Sequence, residues 1–232
     1  SYKKSNCNII SSHSGIYRDL IYYFNKKSDI MSEICISANK YNFVEPKKLN
    51  ENLKVVWIGN FEPAKNLPPL LHAKASLEKK NIFFDLIICG SGARENKWKN
   101  ISKKLKLKNI YWKGRIERDQ VLKILSNSHV YIATSLKDLT STSLIEAMWF
   151  GCAIISTPLN GFIDALKGTK NLFISLENKK AMTESIENHI LYMIVNEKKR
   201  FELAQKNIIR SDDFSTDFVS QKIENIYRRL IK

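Results

Sequence analysis

The sequence predicts an α/β fold built on a doubly wound parallel sheet, followed by a helical C-terminal extension. Short apolar runs without in-and-out alternation recur along the chain, which is typical of parallel strands buried on both faces. Three of these runs end directly at a glycine. The polar stretches between the runs are long enough for crossover helices, so strands and helices are expected to alternate.

Five strands are predicted from these runs, at residues 54–58, 83–89, 109–113, 129–133 and 152–156. Crossover helices are predicted at residues 68–80, 94–105, 118–126 and 143–150. Right-handed crossovers place ligand sites at the carboxyl ends of the strands. Gly59, Gly90 and Gly114 each follow a strand, so the sequence places them at that edge.

The two ends of the chain depart from this repeating pattern. Helices are predicted at residues 180–195, 197–210 and 213–232, and the last has an amphipathic stripe of Phe214, Phe218, Ile223, Ile226, Tyr227 and Leu230. Near the start, strands at 7–11 and 33–37 flank a helix at 15–24. The polar, basic stretch at 39–52 then indicates a domain boundary near residue 50.

The composition points to a globular protein with an anionic partner. Its hydrophobic and charged fractions, 44% and 26%, argue against long disorder. The net charge of +15 favours nucleic acid, an acidic membrane surface or a phosphorylated small molecule. A composition rich in Lys, Asn and Ile also gives such an excess without any partner. The basic residues look spread over nearly every helix and no nucleic-acid-binding motif occurs, so nucleic acid is not the partner predicted.

The cysteines bear on the cellular compartment of the protein and not on a metal site. Cys7, Cys35, Cys89 and Cys152 are at least 28 positions apart, which excludes metal-ligand spacing and predicts a reducing, cytoplasmic environment. The sequence shows neither a signal-peptide pattern nor an apolar run near the ~20 residues of a membrane-spanning helix. Because the chain starts at Ser1 and not at Met, it is expected to be processed or to be a piece of a longer protein.

The densest polar segment runs from Ser135 to Glu146, between the fourth predicted strand and the helix after it. A hydroxyl-rich loop before a helix start leaves backbone N–H groups free, and at a sheet edge these groups bind anions such as phosphate. Asp138 precedes the helix and Glu146 lies about one turn inside it, so the two carboxylates could bracket a ligand. The alternative is that the hydroxyl groups merely cap a buried helix and that Glu146 is exposed.

The same segment resembles the signature of glycosyltransferase family 4. Residues 138–151 read D-L-T-S-T-S-L-I-E-A-M-W-F-G, with Asp138 where the family usually has Glu and Leu139 where it has Gly, while Glu146 matches. Three other segments follow in the family's order: a loop at 58–66 with Lys65 kept and Asn60 in place of Arg, a glycine turn at 89–92, and a late loop at 156–164 that carries Asp164. The resemblance covers residues 51–232.

This resemblance implies a GT-B architecture, in which two Rossmann-like domains face each other across a cleft. Residues 51–212 resemble the C-terminal, nucleotide-sugar donor domain, and 213–232 the helix that crosses back to the other domain. Residues 1–50 resemble only the tail of the acceptor domain. The implied function is transfer of a sugar from a UDP-, GDP- or ADP-sugar to a glycan or lipid-linked acceptor, with retention and without a metal or other cofactor. The implied location is the cytoplasm, in peripheral contact with the inner face of an anionic membrane.

The resemblance also implies roles for individual residues. Lys65, Asp138 and Glu146 are the catalytic candidates: Lys65 for the diphosphate, Asp138 for the sugar and Glu146 for the ribose hydroxyls. The other donor-site candidates are Gly59, Asn60, Gly90, Gly92, Arg115, Ile116, Ser141, Thr142 and Ser143. Three alternatives remain open at this point: a sugar-nucleotide epimerase of the same fold, a non-catalytic nucleotide-binding module, and a basic nucleic-acid-binding protein.

Overall fold

The structure, a computed structural model, describes residues 10–25, 27–31, 34–37, 47–49 and 52–230. Its strands are β1 (Ile10–Ser11), β2 (Asp29–Ile30), β3 (Lys54–Ile58), β4 (Asp85–Cys89), β5 (Ile110–Gly114), β6 (Val130–Ala133), β7 (Ala153–Ser156) and β8 (Leu172–Phe173). Its α-helices are α1 (Ser14–Phe24), α2 (Pro68–Lys79), α3 (Glu95–Lys104), α4 (Arg118–Ser126), α5 (Thr142–Trp149), α6 (Asn160–Ala165), α7 (Lys179–Val195), α8 (Glu197–Ser211) and α9 (Thr216–Leu230).

The main sheet has six parallel strands in the order β5-β4-β3-β6-β7-β8. Strand β3 lies near the middle of the sheet. Strands β4 and β5 follow on one side of β3, and β6, β7 and β8 follow on its other side. This order confirms the predicted doubly wound sheet. The reversal between β3 and β6 opens a crevice at their carboxyl ends, where such sheets bind ligands. The two-residue strand β8 was not expected from the sequence.

Each face of the sheet is covered by its own helices and buries a separate core. On one face, α2, α3 and α7 cover a cluster that includes four aromatic rings 5.3–5.9 Å apart: Trp57, Phe61, Trp98 and Trp112. On the other face, α4, α5 and α6 cover Val56, Tyr131 and Ile154. These buried apolar surfaces fix the sheet and hence the positions of the loops at its carboxyl edge.

The N-terminal segment is attached to the main sheet through α6. The backbone N–H of Ser14 donates to Asp164 Oδ2 at 2.5 Å, its hydroxyl donates to Oδ1 at 2.9 Å, and Arg18 donates to Asn160. Helix α1 lies where it was predicted. The predicted strand at 33–37 is wrong in its described part, because only Ile36 pairs there, with Ser215. Strand β1 covers the end of the one predicted at 7–11; residues 7–9 and 32–33 lie outside the described ranges.

The C-terminal extension is helical, as predicted, but its final helix starts later. A 3-10 turn at Asp212–Phe214 precedes α9, and this turn changes the face that the helix presents to the protein. Phe214 and Ile226 are buried as expected, whereas Phe218 and Tyr227 are 45% and 60% exposed. Val219 is buried in their place. The predicted stripe is therefore only partly correct, and the side chain of Leu230 lies outside what the structure describes.

Two further findings bear on the sequence analysis. Across the described ranges, every helix is too short or too polar to cross a lipid bilayer. Cys35, Cys89 and Cys152 are free thiols, and burial raises the pKa of Cys89 to about 11, so this thiol is inert at neutral pH. Cys7 lies outside the described residues.

Candidate functional site

The loops that follow β3, β5 and β6 enclose an open cleft of about 560 Å³ at the carboxyl edge of the sheet. We call it the carboxyl-edge cleft. Residues predicted for the site line it together: Gly59, Asn60, Lys65, Ile116, Asp138, Ser141, Thr142, Ser143 and Glu146. Ile58, Arg118, Val121 and Thr140 complete the lining. Gly90, Gly92 and Arg115 do not line the cleft, so a binding role for them stays a prediction.

Helix α5 points its N-terminus into this cleft. Its N-cap residue is Ser141, but no side chain caps the first turn. The Ser141 hydroxyl instead contacts the Ser143 hydroxyl at 2.9 Å, and Ser143 contacts the Tyr131 hydroxyl at 2.8 Å. The hydroxyl groups are thus held away from the helix end, and the capping role considered from the sequence does not apply. The first-turn N–H groups and the positive end of the helix dipole are left for an anion.

Lys65 reaches the cleft from the 3-10 turn that precedes α2. Its ammonium lies 2.5 Å from Asp138 Oδ2, and the two side chains are 25% and 17% exposed. Thr134 fixes the backbone of Lys65 by donating to its carbonyl at 2.7 Å, and Trp57 donates to Thr134 in turn. Lys65 was assigned to the diphosphate from the sequence, and its pairing with Asp138 was not predicted.

Glu146 is buried inside the cleft and is only 5% exposed, so the alternative of an exposed Glu146 is wrong. Its Oε1 lies 2.7 Å from Nη2 of Arg118. Within the described part of the chain, this ion pair is the polar contact that the enclosed Oε1 makes. Burial raises the pKa of Glu146, and Arg118 opposes that rise. The carboxylate therefore keeps acceptor capacity for a ligand hydroxyl inside a low-dielectric pocket.

Arg118 is the site residue that sequence reasoning missed. It is the first residue of α4, 28 positions before Glu146, and its side chain is 60% exposed. No local sequence pattern identifies Arg118, because its contact with Glu146 forms only when α4 and α5 pack side by side on one face of the sheet. A search for cations at the starts of crossover helices, which all lie at the carboxyl edge, could have found it.

The glycine turn at 90–92 supports the cleft from behind. Gly90 has φ +132°, and a Cβ there would lie 1.9 Å from the carbonyl oxygen of Gly59. Gly92 has φ +150°, and a Cβ there would lie 2.9 Å from the backbone nitrogen of Phe61. Both positions need glycine, since the turn packs directly on the 59–61 loop. These glycines thereby position Gly59 and Asn60, which do line the cleft.

Gly161 supports the other wall. A Cβ there would lie 1.7 Å from the carbonyl oxygen of Leu139, because the loop that carries Asp138 rests on the start of α6. The sequence predicted a loop at 156–164; in the structure α6 begins there, at Asn160. Asp164 does not reach the cleft. It contacts Ser14 and lines a smaller cavity of about 190 Å³ behind Thr140.

We expect Gly161→Ala to lower the free energy of unfolding by about 1–3 kcal/mol or more, because the loop at 138–140 must move to admit the methyl group. Thermal or urea denaturation measures this loss. Gly59→Ala is the matched control: a Cβ there meets side chains and not backbone, the Trp57 ring at 3.2 Å and Lys65 at 3.5 Å, and should cost less. A Gly161→Ala protein as stable as the wild type would contradict the packing described here.

A family model described as glycosyl transferases group 1 matches residues 39–208. Among curated proteins, the chain is similar to an uncharacterised glycosyltransferase of Methanocaldococcus jannaschii, with 26% identity over 200 residues, covering 81% of this chain and 49% of that protein. The chain spans less than half the length of the curated relatives it matches.

Two solved structures are similar in fold. Anabaena HepE in complex with UDP gives a TM-score of 0.79 at 16% identity, covering 98% of this chain and 65% of that one. The pneumococcal O-GlcNAc transferase GtfA in complex with UDP and GlcNAc gives a TM-score of 0.76 at 16% identity, covering 96% of this chain and 45% of that one. At these identities the likeness shows the fold alone.

Proposed function

This chain belongs to the group 1 glycosyl transferases, and from that premise we propose that it carries the nucleotide-sugar donor site of an enzyme that transfers a sugar to a glycan or lipid-linked acceptor. The observation that carries the proposal is the carboxyl-edge cleft. It gathers a lysine, two carboxylates and an uncapped helix N-terminus around one space of about 560 Å³. Each of these groups matches one part of a nucleoside diphosphate sugar.

The donor is proposed to lie across the start of α5. Its diphosphate faces the first-turn N–H groups and Lys65, where both the helix dipole and the ammonium favour negative charge. Its ribose hydroxyls donate to Glu146, whose carboxylate is paired with Arg118 at one oxygen and has lone pairs left for further hydrogen bonds. Its sugar lies toward Asp138, and its base toward Ile116. Two structural neighbours are titled as complexes with UDP, which supports UDP over GDP or ADP as the first nucleotide to test.

In this arrangement the protein assists departure of the diphosphate. As the acceptor hydroxyl oxygen bonds to the sugar C1 and gives up its proton, the bond from C1 to the phosphate oxygen breaks and negative charge grows on the departing nucleoside diphosphate. Lys65 and the N-terminus of α5 are placed to stabilise that charge, and the cleft walls hold them in position before the reaction. We propose that transfer proceeds with retention and without a metal ion. Transfer by the full-length enzyme that is abolished by EDTA and restored by Mg²⁺ would contradict the metal-free proposal.

Calorimetric titration of the chain with UDP, GDP and ADP tests the donor site. We expect one nucleotide to bind at a single site, and the corresponding Glu146→Gln titration to show a loss of affinity. If none of the three nucleotides binds at millimolar concentration, the donor-site proposal is wrong. The alternatives of an epimerase-like protein or a nucleic-acid-binding protein are not favoured by the family match.

We expect the 232-residue chain by itself to fold and bind nucleotide but to transfer little or no sugar. The acceptor must be held in line with the donor sugar, and such positioning contributes roughly 7–11 kcal/mol to lowering the barrier. We propose that residues 1–50 are the tail of the acceptor domain, and a tail by itself does not hold an acceptor. An assay that offers a radiolabelled donor and a defined acceptor measures this. Transfer by this chain at the rate of a complete enzyme would show that the acceptor site lies within it.

We further propose that the protein works at the cytoplasmic face of a membrane, in peripheral contact with anionic lipid. The enzyme would have to bind a lipid-linked acceptor at the membrane surface. The net charge of +15 supports such contact, because polybasic surfaces are attracted to anionic leaflets.

A further inference from the structure

The excess of positive charge is concentrated at one edge of the molecule. Residues 94–118 carry ten Lys and Arg and two Glu, a net charge of +8 out of the +15 of the chain. The other 207 residues carry 28 basic and 21 acidic side chains and are close to balance. The even spread over the helices expected from the sequence is therefore wrong. We call residues 94–118 the basic edge.

The basic edge comprises α3, the loop after it, β5 and the start of α4. Strand β5 is the outermost strand on its side of the sheet, and α3 buries only Trp98 and Ser102. Eight of the cationic side chains are exposed: Lys97, Lys103, Lys104, Lys106, Lys108, Lys113, Arg115 and Arg118. Within the described part of the chain, the ion pairs at this edge involve only Lys99 with Glu95 and Arg118 with Glu146.

Protection of the sheet edge does not account for this charge. Lysines on an outer strand prevent pairing with another chain, and Lys113 on β5 serves that purpose. Lys97, Lys103 and Lys104 lie on a helix, where no strand edge is open. Their repulsion costs free energy in the isolated molecule, and an anionic partner would remove that cost.

We propose that the basic edge docks the protein on an anionic phospholipid bilayer. This inference deepens the proposed function and rests on its lipid-linked acceptor. Two exposed aromatic rings accompany the lysines: Tyr111 on β5, 44% exposed, and Phe83, 37% exposed with the Lys108 ammonium 5.6 Å from its ring centre. Aromatic rings with long cationic side chains suit the boundary between lipid headgroups and acyl chains.

The position of the edge also favours a membrane over a polymer such as RNA. The chain passes from Gly114 at the end of β5 directly into Ile116 and Arg118, which line the carboxyl-edge cleft. A bilayer that covers the basic edge would therefore run along β5, from Lys106 and Lys108 at the amino end of this strand to Arg115 and Arg118 beside the mouth of the cleft. A lipid-linked acceptor in that bilayer would reach the donor sugar without leaving the membrane.

Vesicle flotation tests this proposal with two variants of equal net charge. The edge variant carries Lys97→Gln, Lys103→Gln, Lys104→Gln and Lys113→Gln. The control variant carries Lys167→Gln, Lys179→Gln, Lys180→Gln and Lys198→Gln, all exposed and outside the basic edge. Each protein is mixed with vesicles of phosphatidylcholine, or of phosphatidylcholine with phosphatidylglycerol, at about 0.1 M and 0.5 M salt. UDP affinity and thermal denaturation are measured on the same samples.

We expect the wild type to bind only the anionic vesicles and to be released at high salt. The edge variant should bind about 10²- to 10³-fold more weakly. Each lysine near an anionic surface raises the membrane affinity about fivefold, and four lysines are removed. The control variant should bind within about threefold of the wild type. Unchanged UDP affinity in the edge variant will show that its fold is intact.

Equal losses in both variants would overturn the proposal, because net charge alone would then explain binding. No binding of the wild type to anionic vesicles would also overturn it. So would tighter binding of the wild type to an RNA oligonucleotide that the edge variant loses. If the wild type binds vesicles but none of the nucleotides, the donor-site proposal fails and the docking surface stands.

Discussion

Replacement of Lys65 by alanine in the complete enzyme is expected to lower the turnover rate by about 10²- to 10³-fold, in line with the removal of one stabiliser of transition-state charge. The ammonium lines the same cleft as the N-terminus of α5, where the diphosphate is proposed to bind, and it pairs with Asp138 at 2.5 Å. Loss of Lys65 would remove a positive charge and leave Asp138 unneutralised beside the leaving group. Both changes act against departure of the diphosphate.

Steady-state kinetics on Lys65→Ala, Lys65→Arg and Asp138→Asn separates these effects. Lys65→Arg should restore part of the rate because it restores the charge, whereas a purely structural role would not depend on charge in this way. The melting temperature should change little, since the pair is partly exposed and such pairs contribute about 0–1 kcal/mol to stability. Near-normal turnover of Lys65→Ala would mean that another cation meets the phosphate. Arg118, which also lines the cleft, would be the first candidate.

The second large effect is expected at Glu146. Glu146→Gln should weaken nucleotide binding by about 10- to 100-fold, because hydrogen bonds to a charged group contribute roughly 1.5–3 kcal/mol each and tenfold in affinity is about 1.4 kcal/mol. Asp138→Asn should leave the affinity for free UDP almost unchanged, since Asp138 is proposed to contact only the sugar. Calorimetry with UDP on both variants measures the difference. Equal losses in the two would contradict the separate roles assigned to these carboxylates.

Protonation gives an independent check on Glu146. Its pKa is raised by burial, so UDP affinity should begin to fall at a higher pH than for an ordinary carboxylate, and Glu146→Gln should lack this dependence. The folded state also binds the Glu146 proton more tightly than the unfolded state does. This stabilising contribution is full below the unfolded pKa and is lost as pH rises through the folded pKa. Glu146→Gln should therefore melt no lower than the wild type at neutral pH, even though it binds nucleotide more weakly.

The sequence predicted the sheet well because its strands are buried on both faces. Apolar runs such as Val55-Val56-Trp57-Ile58 leave little ambiguity, and the glycines after them mark the carboxyl edge. The sequence did not predict two of the shortest strands and helices, nor which face of the last helix is buried. The two residues of β8 carry no pattern, and the segment at 156–164 was predicted as a loop from its resemblance to the family's late loop, so the six-residue α6 was not predicted. The 3-10 turn at Asp212–Phe214 could not be read from periodicity, so two aromatic side chains of the last helix were misplaced.

Most of the residues predicted for the candidate site line the cleft, but their pairings were not predicted. Asp138 and Glu146 were expected to bracket a ligand, and each also lies against a cation, Lys65 or Arg118. These partners come from loops and helices far along the chain, and only the folded sheet brings them to one edge. The basic residues at 94–118 are contiguous in the sequence, but only the strand order shows that they lie at an outer edge of the sheet.

A crystal structure of the chain grown with UDP would test the assignment of the donor site most directly. We expect the ribose hydroxyls within hydrogen-bond distance of the Glu146 carboxylate, and the diphosphate against the first turn of α5 with the Lys65 ammonium beside it. UDP bound elsewhere, such as in the cavity between Asp164 and Phe218, with the carboxyl-edge cleft filled only by water, would contradict the assignment.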